Sequence, residues 1–228
     1  MSQKHISILN FHGDPNVGMH GLATDKYCLV GKCVSDKQVK ELEEVLKVPV
    51  LRATVYGTDL IGLFAVGTSS VLLVPKIIFE NELKALKSLM EKLNVKVEVI
   101  DTEHTAFGNN ILLSDSIAII SSAFNQASQK QLKDALGIKP IVMDIAHTSV
   151  PGSVGKITNK GAIFSPNLSE DDIQKIEKLL GYEIGLGTIN LGNPFLSSGI
   201  IANSFGFVIG MQSSGFEISR VDESLRFI

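Results

Sequence analysis

The chain has 228 residues, 44% of them hydrophobic, and its 24 acidic side chains outnumber the 21 Lys and Arg side chains to leave a net charge of −3. A chain of this length and apolar content can bury a large core, and its length suits one or two domains. The weakly acidic balance argues against a protein whose affinity comes mainly from neutralising phosphates, because such binding needs clustered Lys and Arg.

The chain carries no sign of export or membrane insertion. Residues 1–6 lack the apolar stretch of a signal peptide, and the run 200–211 is too short to cross a bilayer and contains Asn203. Cys28 and Cys33 form neither a CxxC pair nor a disulfide framework. We therefore expect reduced cysteines in a cytoplasmic protein, with no metal and no cofactor.

The first predicted elements are a strand over residues 5–11 and a breaker-rich turn after it. A clearer pattern starts at Gly62, where an apolar strand leads into a polar turn and then into a second apolar strand over residues 71–74. We interpret Gly62 as a backbone bend that other residues would not allow. The pattern predicts a β-hairpin.

Helices are predicted between the hairpins, where capping residues precede apolar residues at helical spacing. Residues 216–221 alternate between apolar and polar and are predicted as a strand, so the last part of the chain lacks an obvious helix. The predicted helix starts are Ser35, Asn81, Ser128 and Ser169, and the predicted C-terminal caps are Gly137 and Gly181.

The hairpin pattern recurs along the whole chain, each time after an anchoring glycine. Five copies spaced 44 to 47 residues apart account for the full length, and the N-terminal strand completes the fifth copy. Pairing strands from the two chain ends would close a ring and remove exposed sheet edges. The anchoring glycines are Gly18, Gly62, Gly108, Gly152 and Gly199. The predicted units cover residues 27–70, 71–116, 117–161, 162–206, and 207–228 together with 1–26.

These motifs together resemble translation initiation factor 6 in its archaeal form. The resemblance covers the whole chain and rests on the segments Tyr27 to Val30, Ile61 to Pro75, Gly108-Asn109, Thr158 to Gly161, and Gly187 to Asn190. It implies an α/β pentein fold, a five-bladed α/β propeller with pseudo-fivefold symmetry. This fold would form one domain over residues 1–228, its ring closed by the N- and C-terminal strands.

The resemblance also implies a function that composition could not give. Members of this family bind the large ribosomal subunit on its intersubunit face and sterically prevent premature joining of the small subunit. They contact a small β-rich ribosomal protein and lie near the sarcin–ricin loop RNA. We therefore expect a monomeric, non-catalytic factor in translation initiation, with a second role in large-subunit maturation and no membrane partner.

Two sets of residues are candidates for ribosome binding. The first lies in the five hairpin turns, although polar residues belong in turns for structural reasons as well. The second follows the anchoring glycines, where an amide in an apolar strand needs either an internal hydrogen bond or contact with water or a partner. The turn candidates are Asp25, Lys26, Thr68, Ser69, Asp115, Asn159, Lys160 and Asn203, and the post-glycine candidates are Leu63, Asn109 and Asn110.

Two other functions compete with this hypothesis. Other pentein proteins are guanidino-group hydrolases or amidinotransferases that use a cysteine near the C-terminus with a histidine and carboxylates. Here no cysteine follows Cys33, and none of the five histidines has a cysteine or carboxylate at triad spacing. A direct RNA-binding module would need a basic stripe with stacking aromatics, but the chain has no Trp and only three Tyr.

Overall fold

The computed structural model describes residues 4–228. Residues 1–3, which the predicted fifth unit and the expected leaderless N-terminus include, lie outside the described residues. Within residues 4–228 the chain forms five sheets of three strands each. The strands are β1 (Ile6–Leu9), β2 (Gly21–Ala23), β3 (Cys28–Gly31), β4 (Val50–Ala53), β5 (Val66–Gly67), β6 (Val71–Pro75), β7 (Lys96–Ile100), β8 (Ile111–Leu113), β9 (Ala118–Ile120), β10 (Ile141–Val142), β11 (Gly155–Ile157), β12 (Ala162–Phe164), β13 (Gly185–Leu186), β14 (Ile200–Ala202) and β15 (Phe207–Gly210).

The helices are of two kinds. Five long helices lie between the second and third strands of the repeated unit, and short helical turns precede the hairpins. The helices are α1 (Asp36–Leu46), α2 (Ile61–Phe64), α3 (Glu80–Glu91), α4 (Phe107–Asn110), α5 (Gln126–Leu136), α6 (Glu170–Leu180) and α7 (Gly215–Ser224), with shorter turns at Val17–Met19 and Leu196–Gly199. None of the helices in residues 4–228 is long and apolar enough to cross a membrane.

Every sheet has the same topology. Its first two strands form an antiparallel hairpin, and its third strand, reached through a long helix, lies parallel to the second. In the fifth sheet the third strand is β1, which pairs in parallel with β15 and so joins the two ends of the chain. The predicted α/β fold with fivefold repetition and pairing of the terminal strands is confirmed.

The core is divided into five hydrophobic clusters, and each cluster draws its residues from two neighbouring sheets. One cluster combines Leu29 of the first sheet with Leu72 of the second, and another combines Val30 of the first sheet with Val208 of the fifth. Each sheet therefore buries both faces against its neighbours, as expected for strands with nearly continuous apolar sequences.

The strand predicted over residues 216–221 is wrong, because this segment is part of α7. Ser214 begins the helix: its side chain accepts a hydrogen bond from the Glu217 N–H, and the Glu217 carboxylate accepts one from the Ser214 N–H. A capping box indicates the start of a helix more strongly than a short alternation of apolar and polar residues indicates a strand. The fifth unit therefore contains the same helix as the other four.

The strand predicted immediately after Gly62 is also wrong, because Ile61–Phe64 is the helical turn α2. The hairpin itself is confirmed, since β5 and β6 pair antiparallel through the turn at Thr68. Equivalent helical turns precede three other hairpins, at Val17–Met19, Phe107–Asn110 and Leu196–Gly199.

Two of the four predicted helix starts are displaced. The helix assigned to Asn81 begins at Glu80, and the one assigned to Ser128 begins at Gln126, because the Asn125 side chain is the cap and accepts a hydrogen bond from the Ser128 N–H. The starts at Ser35 and Ser169 are confirmed by capping boxes, and Gly137 and Gly181 are confirmed as left-handed C-caps with φ of +71° and +78°.

Candidate functional site

One face of the molecule is built from five short segments that meet at the central axis, four of them helical turns and the fifth a non-helical turn at residues 151–153. They carry Gly18, Gly62, Gly108, Gly152 and Ser197, each six residues before a hairpin turn. A Cβ atom on any of the four glycines would lie closer than 3.0 Å to the carbonyl oxygen of the preceding member of the ring. The glycines are therefore required because neighbouring backbones approach closely, and we call this surface the glycine face.

This geometry corrects two interpretations of the sequence. Gly62 has no positive φ, so its role is close approach and not a bend that other residues would forbid. Gly199, the predicted fifth anchor, lies two residues beyond the equivalent position, which Ser197 occupies. The Ser197 N–H and hydroxyl both point to the Ser153 carbonyl oxygen, at 3.3 and 3.4 Å.

The post-glycine candidates lie on this face with different exposure. Leu63 and Asn109 are partly exposed, and the Asn109 backbone carbonyl accepts a hydrogen bond from the Gly152 N–H at 2.8 Å. Asn110 is buried, and its side-chain amide donates to the Ala106 carbonyl oxygen at 2.8 Å. Asn110 therefore forms an internal hydrogen bond and does not need contact with water or a partner.

The opposite face carries the five hairpin turns, and polar side chains link these turns to one another. Asp25 accepts hydrogen bonds from the Ser204 N–H and hydroxyl, both at 2.8 Å. Asp115 accepts from the Ser69 N–H and hydroxyl, both at 2.7 Å. The Asn159 amide donates to both carboxylates, at 2.8 and 2.9 Å, and so connects the two halves across the axis. We call these five residues the turn ring.

The other turn candidates divide into buried and exposed residues. Thr68 and Asn203 are buried and stabilise their own turns, since Thr68 Oγ accepts from the Val71 N–H and Asn203 Oδ1 accepts from the Gly206 N–H. The Asn203 amide also donates to the Thr24 and Leu46 carbonyl oxygens. The two lysines lie at the rim: Lys26 Nζ donates to the Asn94 carbonyl at 3.3 Å, and Lys160 Nζ lies 5.2 Å from the centre of the Phe227 ring. Most polar side chains of this face therefore interact with other groups of the same molecule.

The structure brings one histidine into contact with both a carboxylate and a cysteine, which the sequence spacing did not reveal. His20 Nε2 lies 3.1 Å from Asp14 Oδ2, and Nδ1 lies 3.9 Å from Cys33 Sγ. Burial and the neighbouring Asp59 carboxylate raise the pKa of the Cys33 thiol. A protonated thiol is a poor nucleophile, so this arrangement lacks the activated cysteine that guanidino chemistry uses.

Residues near the C-terminus, where a catalytic cysteine would be expected, have structural roles. The Ser213 hydroxyl accepts a hydrogen bond from the Asn190 N–H at 3.0 Å, and Ser214 caps α7. The remaining cysteine, Cys28, is fully buried, and burial raises the pKa of its thiol to about 12. Both cysteines are free thiols.

Sequence reasoning missed one unusual side chain, Lys156. It lies in the middle of β11, an inner strand, and lines a cavity on the axis between the glycine face and the turn ring. The signal that could have identified it is a charged residue at a strand position that is apolar in the other four units.

The chain is similar to known proteins along nearly its whole length. The family model described as eIF-6 family matches residues 6–224. A protein named translation initiation factor 6 from Pyrococcus abyssi is 34% identical over 226 residues, covering 98% of this chain and 100% of the relative. Its counterpart from Thermococcus onnurineus is also 34% identical over 226 residues, covering 98% and 99%, and one from Saccharolobus islandicus is 32% identical over 222 residues, covering 97% and 99%.

Among solved structures, a dimethylarginine dimethylaminohydrolase carrying an S-methyl-L-thiocitrulline adduct matches with a TM-score of 0.50. Its sequence identity is 13%, and the match covers 92% of this chain and 73% of that chain. At this identity the likeness shows the shared fold alone.

Proposed function

The chain belongs to the eIF-6 family, and on this premise we propose that it acts in translation initiation by binding the large ribosomal subunit and preventing premature joining of the small subunit. The observation that carries the proposal is the match over residues 6–224 to a family whose relatives are covered almost end to end. The proposed partners are a small β-rich ribosomal protein on the intersubunit face and the nearby sarcin–ricin loop RNA. The proposed setting is the cytoplasm, and the proposed active form is a monomer of one domain.

The proposed docking surface is the glycine face. Leu63 and Asn109 are partly exposed there, and the Asn109 side chain forms no hydrogen bond within residues 4–228. The turn ring is less suited to docking, because Asp25, Asp115 and Asn159 already satisfy one another. A partner that bound the turn ring would have to break those hydrogen bonds, and each broken bond would cost binding free energy.

The proposed mechanism is steric exclusion. A ring whose sheets share their core clusters is a stiff body, and a stable interface of roughly 800 Å² on each partner would hold it in place. The factor would then occupy the surface that the small subunit needs. With a net charge of −3, docking mainly on protein is favoured over docking on phosphates. The same occupancy on immature particles would account for a role in large-subunit maturation.

We propose a non-catalytic role for the pentein fold in this chain. The only thiol close to a histidine is Cys33 among the described residues, and its raised pKa keeps it protonated near neutral pH. Release of ammonia or citrulline from arginine analogues by the purified protein would favour the hydrolase alternative instead.

Subunit joining tests the proposed function. Purified large subunits are incubated with the protein, small subunits are added, and joined particles are measured by light scattering. We expect joining to fall in proportion to the occupancy of the large subunit, whereas small subunits that are preincubated with the protein and then separated from it should join untreated large subunits normally. Unchanged joining at micromolar protein would overturn the proposal.

A further inference from the structure

The cavity on the axis has a volume of about 60 Å³ and an unusual lining. The inner strands of the sheets and the glycines of the glycine face form its wall, and most of the lining side chains are apolar. Among the described residues that line it, Lys156 is the one with a charged side chain. A space of this size can hold a few water molecules or one small ion.

Lys156 occupies a position that is apolar in every other unit. Counting back from the hairpin turns, its equivalents are Leu22, Val66, Leu112 and Ile201. Each of these four side chains packs into one of the hydrophobic clusters between neighbouring sheets. A lysine at the fifth position therefore places an ammonium group where the fold otherwise buries a methyl group.

The ammonium group of Lys156 has no acceptor within residues 4–228. No carboxylate or carbonyl among them forms an ion pair or hydrogen bond with Nζ. Burial lowers the pKa of Lys156 to about 8, and the titratable group that its charge acts on is Cys28, a neutral buried thiol. Lys156 is partly buried and lines the cavity, where a partly desolvated cation without a counter-charge favours the binding of an anion.

A second polar group lies behind the same wall. The Tyr27 hydroxyl is buried and is the one buried side-chain polar atom without a hydrogen-bond partner in the described part of the chain. It lies against Gly67, where a Cβ atom would overlap it, and Gly67 lines the cavity. The hydroxyl itself does not line the cavity, so Lys156 Nζ is the donor that the cavity offers to a ligand.

We propose that the axial cavity binds one small inorganic anion, chloride in the simplest case, through Lys156 Nζ. One ammonium group matches one negative charge, and the apolar walls disfavour a divalent anion that would remain uncompensated. The anion would neutralise the charge at the centre of the ring and stabilise the folded protein. This contribution to stability would hold whether or not the protein binds ribosomes.

Thermal unfolding at constant ionic strength tests the proposal. Sodium gluconate is replaced stepwise by sodium chloride, and the Tm of the wild type is compared with that of Lys156→Met, whose apolar side chain resembles those of the other four units. We expect saturating chloride to raise the wild-type Tm by about 3 °C and to leave Lys156→Met nearly unchanged. The exposed variant Lys130→Met serves as the control and should respond like the wild type.

An equal chloride response in the wild type and in Lys156→Met would overturn the proposal, because the effect would then be a general one of the salt. Crystals soaked in sodium bromide give an independent measurement. We expect an anomalous peak on the axis within about 3.5 Å of Lys156 Nζ. Bromide found only on the outer surface would equally contradict an axial site.

Discussion

At the residue scale, a single hydrogen atom in place of a methyl group decides how closely the helical turns of the glycine face approach the axis. A Cβ atom on Gly108 would overlap the carbonyl oxygen of Gly62. Backbone cannot move aside as a flexible side chain can, so Gly108→Ala should lower the free energy of unfolding by about 3 kcal/mol or more.

Gly215→Ala is the control: no atom lies within 4 Å of its added Cβ, and it should change stability by less than about 1 kcal/mol. Urea denaturation measures both, and equal effects would show that close approach is not the reason for the glycines.

Individual residues of the site were predicted from the sequence only in part. The period of the glycines was visible because close backbone approach tolerates no side chain. The fifth member was misassigned to Gly199, because Ser197 breaks the residue pattern while keeping the position. The Cys33–His20 contact had no sequence signal, because the fold brings these residues together through a loop and not through regular spacing.

At the scale of elements, a carboxylate at the start of a helix holds the loop of a neighbouring unit. Glu217 of α7 accepts hydrogen bonds from the Gly192 N–H at 2.9 Å and from the Thr188 hydroxyl at 2.9 Å, in addition to the Ser214 N–H. Glu82 of α3 does the same for the Tyr56 and Gly57 N–H groups. Burial alone would raise the pKa of Glu217, but these donors outweigh it and lower the pKa below the ordinary value of 4.5.

Glu217→Gln should therefore lower the free energy of unfolding at pH 7 by about 1 to 3 kcal/mol. A carboxyl group with a depressed pKa in the folded state contributes stability above pH 4.5, and this contribution is lost as the pH falls through the folded-state pKa. The difference between the wild type and the variant should shrink accordingly in acid. Glu223→Gln, an exposed substitution on the same helix, should stay within about 0.5 kcal/mol of the wild type at both pH values. A pH-independent difference for Glu217→Gln would exclude the charge as its cause.

The element scale also separates what sequence patterns could predict from what they could not. Helices with clear caps at Ser35 and Ser169 were predicted correctly, because capping is a local interaction. Helix α7 is the exception, since the alternation over residues 216–221 predicts a strand and obscures the Ser214 and Glu217 capping pair. The helical turn at Ile61–Phe64 reads as a strand in sequence, because its apolar residues are set by packing around the axis and not by local preference.

At the scale of the whole molecule, closure follows from the repeat. Five units of nearly equal length, with the last one shared between the chain ends, predicted the pairing of β1 with β15. Every hydrophobic cluster spans two sheets, so no unit buries its core alone. The sequence could not indicate which of the two faces is suited to docking, because polar residues in turns look the same whether they bind each other or a partner.

Co-sedimentation with ribosomal subunits is the most direct measurement of the proposed role. We expect the wild type to sediment with large subunits and not with small ones. Leu63→Asp on the glycine face should weaken binding by about tenfold or more, whereas Phe205→Asp, an equally disruptive change on the exposed opposite face, should bind like the wild type. Weakening by Phe205→Asp alone would place docking on the turn ring. A wild-type protein that stays at the top of the gradient at micromolar concentration would contradict ribosome binding itself.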